Sequence, residues 1–269
     1  MSKLTKQQAI EKIKAELLNV DQKGKKARNL RFLASALGSI PWVGGFIAAS
    51  AALHSELEQG KVNELQKLWL EEHTQQIDEL AYTIYQIFEK IESVGENINE
   101  RLESEEYLAI VREGFKEWDN AKTFEKKEYI RKLITNAGAN NITTDDIIQL
   151  FIDWIGTYHE LHFAVIKEIY KNPGMTRGDI WNTFNDSQPE ENSMEADLYK
   201  LMFRDLSTGG IIRQVRATDY YGNFIKQPRT KRKNNTLTSA FDDGKDYELT
   251  ELGKQFVHFT MEEVVTKLE

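Results

Sequence analysis

An uncharged stretch near the start of the chain places the strongest constraint on its fold. Residues 32–53 read FLASALGSIPWVGGFIAASAAL, about 22 residues without a charged side chain. A single membrane-spanning helix needs about 20 apolar residues. Glycines and Pro41 interrupt the middle of this stretch, however, and in a helix interior Gly costs roughly 1 kcal/mol and Pro roughly 3 kcal/mol. The stretch therefore predicts a hairpin of two short apolar helices, near residues 30–38 and 43–53, joined by a turn.

Three interpretations of this apolar hairpin follow from its sequence. It is a buried hairpin of a helical bundle, a hairpin that the folded protein stores and then releases into a membrane, or a constitutive membrane anchor. Neither half is long enough to span a bilayer alone. A secretory signal is not expected, because the apolar region begins too far from Met1.

Nine of the 22 residues are Ala or Gly, small as well as apolar, and small residues let helix backbones approach closely. In this composition, and in the long helix predicted after it, the segment resembles the hydrophobic hairpin of α-helical pore-forming toxins. There the apolar helices lie beside a helical stalk until they enter a membrane. The resemblance implies that the inserting residues are Phe32, Leu33, Leu37, Ile40, Pro41, Trp42, Val43, Gly44, Gly45, Phe46 and Ile47.

The segment before the hairpin is basic. From Met1 to Arg31 there are nine Lys or Arg residues and three acidic ones, in a chain whose net charge is -8. Residues 3–19 have the apolar periodicity of an amphipathic helix. This helix is either a solvated surface element or a basic flank of the hairpin, where each cation near an anionic leaflet contributes about 1 kcal/mol.

A long helical stalk is predicted over residues 55–102, which contain no proline. Its apolar positions alternate in steps of three and four, which is the seam of a coiled-coil-like helix. The seam consists of Leu70, His73, Ile77, Leu80, Ile84, Ile87, Ile91, Val94 and Ile98. It either packs inside a bundle of the same chain or mediates self-association through residues 70–98. His73 on this seam is typical of an interior histidine.

Further helices are predicted at 105–120 and 123–139, followed by a polar break. Thr144 is a suitable N-cap, because its hydroxyl can accept a free backbone N–H of the next helix. We therefore expect a helical bundle over residues 1–144 and a second domain over 145–269.

The second domain is predicted to contain several helices and two strands around a long polar loop. The elements are helices at 145–171, 177–184 and 194–206, strands at 211–215 and 246–250, and a helix at 251–268. The chain enters the last helix through YELTELG, Tyr247–Gly253. With Gly174-Met175-Thr176 and the Gly209–Ile212 entry into the first strand, this pattern resembles the MarR- and PadR-like branch of the winged-helix superfamily. The resemblance covers about residues 158–268 and implies a fold rather than a ligand, because winged helices bind DNA, RNA or protein.

Nucleic-acid binding is one of the roles left open for this domain. The helix expected to enter a DNA groove, residues 194–206, has a predicted apolar face of Leu198, Leu201, Met202 and Leu206. It is slightly acidic, which disfavours phosphate contact. The loop between the strands is basic. The candidate nucleic-acid or partner-binding residues are Lys200, Arg204, Lys226, Arg229, Lys231, Arg232 and Lys233. Protein binding or sensing, and a purely structural role, are the alternatives.

No catalytic motif is evident in the sequence. The chain has no cysteine, no phosphate-binding glycine loop and no HExxH or GxSxG pattern. His159 and His162 have the spacing of a metal pair, but the surrounding helix is apolar and no third ligand is evident. We therefore expect no enzyme activity, no metal, no cofactor and no small-molecule substrate.

Together these features predict a mainly α protein with a helical bundle, a hydrophobic hairpin, a long coiled-coil-like helix and a C-terminal winged helix. The toxin resemblance implies a non-enzymatic, cytoplasmic bacterial effector of the abortive-infection or anti-phage type. Its hairpin would enter membrane lipid on activation. A protein partner, or self-association through the 70–98 seam, is expected as well. The alternatives are a winged-helix DNA-binding transcriptional regulator with a helical dimerisation domain, and a non-catalytic scaffold.

Overall fold

The computed structural model of the protein describes residues 32, 35–45, 49, 64–94, 99–139, 142–216, 219–221, 223, 225 and 239–262. The protein is mostly helical with a small antiparallel sheet, so the predicted mainly α class is confirmed. It forms two compact units: Met1–Thr157 with Phe259–Glu269, and Tyr158–His258. The units divide at 157/158, whereas the sequence placed the boundary at 144/145. The reason is that the apolar face of residues 145–157 packs against the preceding helices.

The first unit is a bundle of helices. They are α1 (Glu64–Val94), α2 (Asn99–Glu103), α3 (Glu105–Asn120), α4 (Phe124–Ala139) and α5 (Asp145–Thr157). The predicted helices at 105–120 and 123–139 are confirmed to within one residue. The predicted stalk 55–102 corresponds to α1 and α2, and its residues 55–63 and 95–98 lie outside the described residues. Ser104 begins α3 as its N-cap, because its side chain accepts the backbone N–H of Tyr107 at 3.2 Å.

The predicted seam of α1 faces the interior of this bundle. Its described apolar members are at most 4% exposed, namely Ile77, Leu80, Ile84, Ile87 and Ile91. Because other helices of the same chain cover them, packing inside a bundle is confirmed at these positions. His73 is half-buried, and the side chains of Leu70, Val94 and Ile98 lie outside the described residues. Self-association through residues 70–98 stays a prediction.

Helices α3 and α4 approach closely around Gly138. A Cβ atom at Gly138 would lie 2.6 Å from the hydroxyl oxygen of Tyr107 and 3.1 Å from Cδ1 of Ile91. Tyr107 is fully buried and donates its hydroxyl to the carbonyl of Ile134 at 3.1 Å. Burial raises the pKa of Tyr107 far above its ordinary value, so this donor keeps its proton.

The second unit surrounds a small sheet. Its elements are α6 (Glu160–Lys171), β1 (Met175–Thr176), α7 (Arg177–Phe184), α8 (Met194–Thr208), β2 (Ile212–Gln214), β3 (Asp246–Leu249) and the first part of α9 (Glu251–Met261). The strand order is β1-β3-β2 and both pairs are antiparallel. The prediction of one helix over 145–171 was wrong, because the chain leaves the helical path at Tyr158 and His159. There the backbone N–H of His159 donates to Nδ1 of His162 at 3.3 Å.

The turn from β3 into α9 explains the pattern at Tyr247–Gly253. Thr250 donates its hydroxyl to the carbonyl of Gly210 at 2.6 Å and accepts the N–H of Gly253 at 2.9 Å. Gly253 lies so close to the carbonyl of Ile211 that a Cβ atom would overlap it. The threonine therefore caps the helix, and the glycine permits the approach of two backbones.

Candidate functional site

The apolar segment has the predicted interruption after residue 38, but the helix that follows begins two residues earlier than expected. Residues 35–38 and 41–45 are helical, with a turn at Ser39 and Ile40. Ser39 donates its hydroxyl to the carbonyl of Ala36 at 2.6 Å. The second helix begins at Pro41 rather than at residue 43, because proline suits the first position of a helix, where its missing N–H is not needed.

The described hairpin residues are anchored in the bundle of the first unit by their apolar side chains. The buried ones are at most 8% exposed: Phe32, Ala36, Leu37, Ile40 and Val43. The ring of Phe32 lies 4.8 Å from that of Phe88 and 6.2 Å from those of Tyr107 and Phe115, centre to centre. Each large apolar side chain buried in this way contributes about 1.5–3 kcal/mol. These five side chains of the hairpin are therefore part of the core in this structure.

Other candidate insertion residues face the solvent. Pro41, Gly44 and Gly45 are exposed, and Trp42 is half-buried. A side chain at Gly44 would meet no atom within 4 Å. Leu33, Phe46 and Ile47 lie outside the described residues. The exposed strip thus lies at the start of the second hairpin helix, next to the buried anchors.

Trp42 joins the hairpin to the bundle through a polar contact. Its Nε1 donates to Oδ1 of Asp119 at 2.6 Å, and its ring lies 5.5 Å from that of His73. Neither Asp119 nor the pairing with His73 was predicted. The two partners of Trp42 come from α3 and α1, and no periodicity links them to the hairpin in the sequence.

The predicted binding cations of α8 lie beside carboxylates. Lys200 Nζ is 3.2 Å from Glu191 Oε2, and Arg204 Nε is 3.8 Å from Asp205 Oδ1. The basic loop residues Lys226, Arg229, Lys231, Arg232 and Lys233 lie outside the described residues. Among the described residues of this loop, Tyr220 and Tyr221 are 97% and 85% exposed.

The apolar face of α8 differs from the predicted one. Leu198 and Leu201 are 43% and 38% exposed, although the sequence placed them inward. Met202 and Leu206 are buried as predicted, and Ala196, Tyr199 and Phe203 complete the buried face. Aromatic residues take the inward positions expected for Leu198 and Leu201, because Tyr199 and Phe203 fill the space beside the sheet and contact Phe241 and Tyr247. The spacing of Tyr199, Phe203 and Leu206 was the sequence signal for this face.

His162 of the histidine pair packs inside the second unit, whereas His159 is exposed. His162 is buried, its ring stacks on Tyr158 at 5.0 Å, and its Nε2 lies 3.9 Å from Oδ2 of Asp205. In the part of the chain that the structure describes, no group of three or more His, Asp or Glu side chains is placed to hold a metal ion.

Comparison with known protein families, with curated proteins and with solved structures gives no match to this chain. The described residues define a mostly helical protein with a small antiparallel sheet and an interrupted apolar segment whose Phe32, Leu37, Ile40 and Val43 are buried. Of the helices within the described ranges, none combines the length and the apolar character that crossing a membrane requires.

Proposed function

We propose that the protein is a non-enzymatic bacterial effector of the abortive-infection type that stores a membrane-active hairpin. In this proposal the protein is cytoplasmic at rest and disrupts a membrane when the hairpin is released. One observation carries this proposal. Bundle residues cover the larger apolar side chains of an uncharged segment, and the hydrogen bond of Trp42 attaches its exposed strip, Pro41, Gly44 and Gly45, to the bundle.

The proposal depends on two competing environments for the same apolar surface. Phe32, Ile40 and Val43 are removed from water in the bundle, and a lipid interior would remove them from water equally well. When the free energies of the buried and the inserted state differ by only a few kcal/mol, a trigger of that size changes which state dominates. The basic residues before Phe32 would add attraction to an anionic leaflet.

We further propose that the second unit is a winged helix that acts as a sensing or protein-binding module. The order α6-β1-α7-α8-β2-β3-α9 and the strand order β1-β3-β2 support this fold. The carboxylates beside Lys200 and Arg204 favour a protein target over a phosphate backbone.

The second candidate function is a DNA-binding regulator whose first unit mediates dimerisation. The observation that favours it is the run of five basic residues within 226–233, which follows the exposed Tyr220 and Tyr221. Under this alternative, removing the charges of Lys231, Arg232 and Lys233 would weaken salt-dependent DNA binding and leave liposomes intact.

Dye leakage from anionic liposomes tests the first proposal. Asp119→Ala removes the acceptor of Trp42 and should increase leakage relative to the unchanged protein. Adding Gly44→Glu should abolish that leakage, because the exposed site accepts a side chain in the folded protein but a charge there opposes insertion. Gly44→Gln, of similar size and without the charge, is the matched control. Equal leakage from the Glu and Gln variants would refute insertion through this strip.

A further inference from the structure

Helix α8 has a second apolar face that points to the solvent. Met194, Leu198 and Leu201 follow each other at steps of four and three, so they lie on one side of the helix. Their exposed fractions are 78%, 43% and 38%. This exposed stripe is distinct from the inward face that builds the core of the second unit.

The surroundings of the exposed stripe are acidic. At about 100° per residue, Glu195 and Asp197 lie on opposite sides of the stripe, and both are exposed. In the segment 185–208 there are six Asp or Glu residues and two basic ones. Those two, Lys200 and Arg204, lie beside Glu191 and Asp205. The negative electrostatic potential over the stripe thus favours a cationic ligand and disfavours a phosphate backbone.

The opposite face of α8 is packed against the rest of the second unit. On that face, the ring of Tyr199 lies 5.1 Å from that of Trp181 and 5.6 Å from that of Phe241, and its hydroxyl donates to the carbonyl of Arg177 at 2.7 Å. Because α8 is already folded and packed, a partner does not have to order its backbone on binding, which favours affinity.

We propose that the exposed stripe of α8 binds a basic amphipathic helix of a partner protein. This inference rests on the proposed role of the second unit as a protein-binding module and names the chemistry of its partner. Aliphatic side chains of the partner contact Met194, Leu198 and Leu201. Its Lys or Arg residues lie against Glu195 and Asp197 and set the orientation of the helix.

The test measures binding of labelled peptides to the full chain by fluorescence anisotropy. The probe is an amphipathic Leu/Lys peptide of about 18 residues, long enough to form a helix on the surface. A Leu/Glu peptide with the same apolar pattern and a scrambled Leu/Lys peptide are the peptide controls. Leu198→Asp changes the stripe, and Leu68→Asp is the matched protein control, because Leu68 is 59% exposed on α1 in the other unit.

We expect the amphipathic Leu/Lys peptide to bind more tightly than both controls. Leu198→Asp should weaken binding of this peptide by about tenfold or more, as for a central interface residue. Asp197→Lys should weaken it by about threefold, with a smaller salt dependence. Leu68→Asp should change nothing. Equal binding of the Leu/Lys peptide to the Leu198→Asp and unchanged proteins would overturn the inference. It would also be overturned if the unchanged protein bound duplex DNA and Leu198→Asp lost that binding.

Leakage from liposomes, measured on the same protein preparations, separates the two proposals. Leakage that occurs as expected while the basic peptide fails to bind refutes the inference about α8 alone. Peptide binding that Leu198→Asp abolishes, in a protein that never permeabilises liposomes, supports the inference and refutes the membrane step of the proposed function.

Discussion

The indole Nε1 of Trp42 donates a hydrogen bond to Oδ1 of Asp119 at 2.6 Å, although the two residues are 77 positions apart. The contact joins the solvent-facing start of the second hairpin helix to the last turn of α3. A hydrogen bond to a charged group contributes about 1.5–3 kcal/mol. The residue pair therefore helps to determine how readily the hairpin leaves the bundle.

Trp42→Phe should make the hairpin open more often, because it removes the donor and keeps an aromatic ring. Opening can be measured with a polarity-sensitive dye at Gly45→Cys, since the chain has no other cysteine and Gly45 is exposed. In the Trp42→Phe protein we expect faster exchange of the labelled segment into anionic vesicles. Asp119→Asn retains an acceptor oxygen and should have a smaller effect. Identical dye signals from all three proteins would show that this contact does not hold the hairpin.

Gly138→Ala should destabilise the first unit by about 1–3 kcal/mol, as overpacking does in a dense core. The added Cβ would overlap the hydroxyl of Tyr107 and press on Ile91. Urea unfolding followed by circular dichroism measures the change. Combining it with Tyr107→Phe should recover part of the loss, because the nearest atom is then missing. Gly38→Ala is the control, since no atom lies within 4 Å of its Cβ position. A loss equal to that of Gly138→Ala in this control would exclude the steric explanation.

Gly253→Ala should destabilise the second unit more than a surface change does, because the obstacle is the backbone carbonyl of Ile211 and cannot rotate away. The neighbouring Lys254→Ala removes an exposed ion pair with Glu251 and should change the free energy of unfolding by about 0.5 kcal/mol or less. Hydrogen exchange at β2 and β3 locates the effect. Unchanged protection of both strands in Gly253→Ala would contradict this account of the turn.

The start of α7 should lose stability in acid. Asp179 accepts hydrogen bonds from the backbone N–H and the hydroxyl of Thr176, and these lower the pKa of its carboxyl below the ordinary 3.8. A lowered pKa in the folded state stabilises the protein above the unfolded-state value, and that stabilisation disappears as the pH falls through the folded-state value.

Comparison of the unchanged protein with Asp179→Asn tests this assignment. The difference in their free energies of unfolding should be constant above about pH 5 and should shrink toward pH 2. Urea titrations at several pH values measure it. A difference that stays constant down to pH 2 would show that Asp179 does not contribute to the acid sensitivity.

Local features of the fold could be predicted because their physical causes lie within a few residues. The cap at Thr176 needs only Asp179, three positions later, and the inward seam from Ile77 to Ile91 needs only a repeating apolar pattern. The interruption near Pro41 follows from the residue itself. The strands predicted at 211–215 and 246–250 correspond to β2 and β3, which are shorter.

Contacts between distant segments could not be predicted in this way. The inward face of α8 includes Tyr199 and Phe203 instead of Leu198 and Leu201, because the space beside Phe241 and Tyr247 suits rings. The end of α5 at Thr157 is different, because the contact that begins α6 is local: the backbone N–H of His159 donates to Nδ1 of His162, three positions later.

The mainly α fold class, the positions of most helices and the uncharged, interrupted segment near the start could all be predicted from the order of the residues. That Phe32, Ile40 and Val43 are covered and that Trp42 is bound to Asp119 became visible in the folded chain alone. The difference is one of range. Helix propensity, capping and periodicity act over about four residues, whereas burial depends on which distant surfaces fit together.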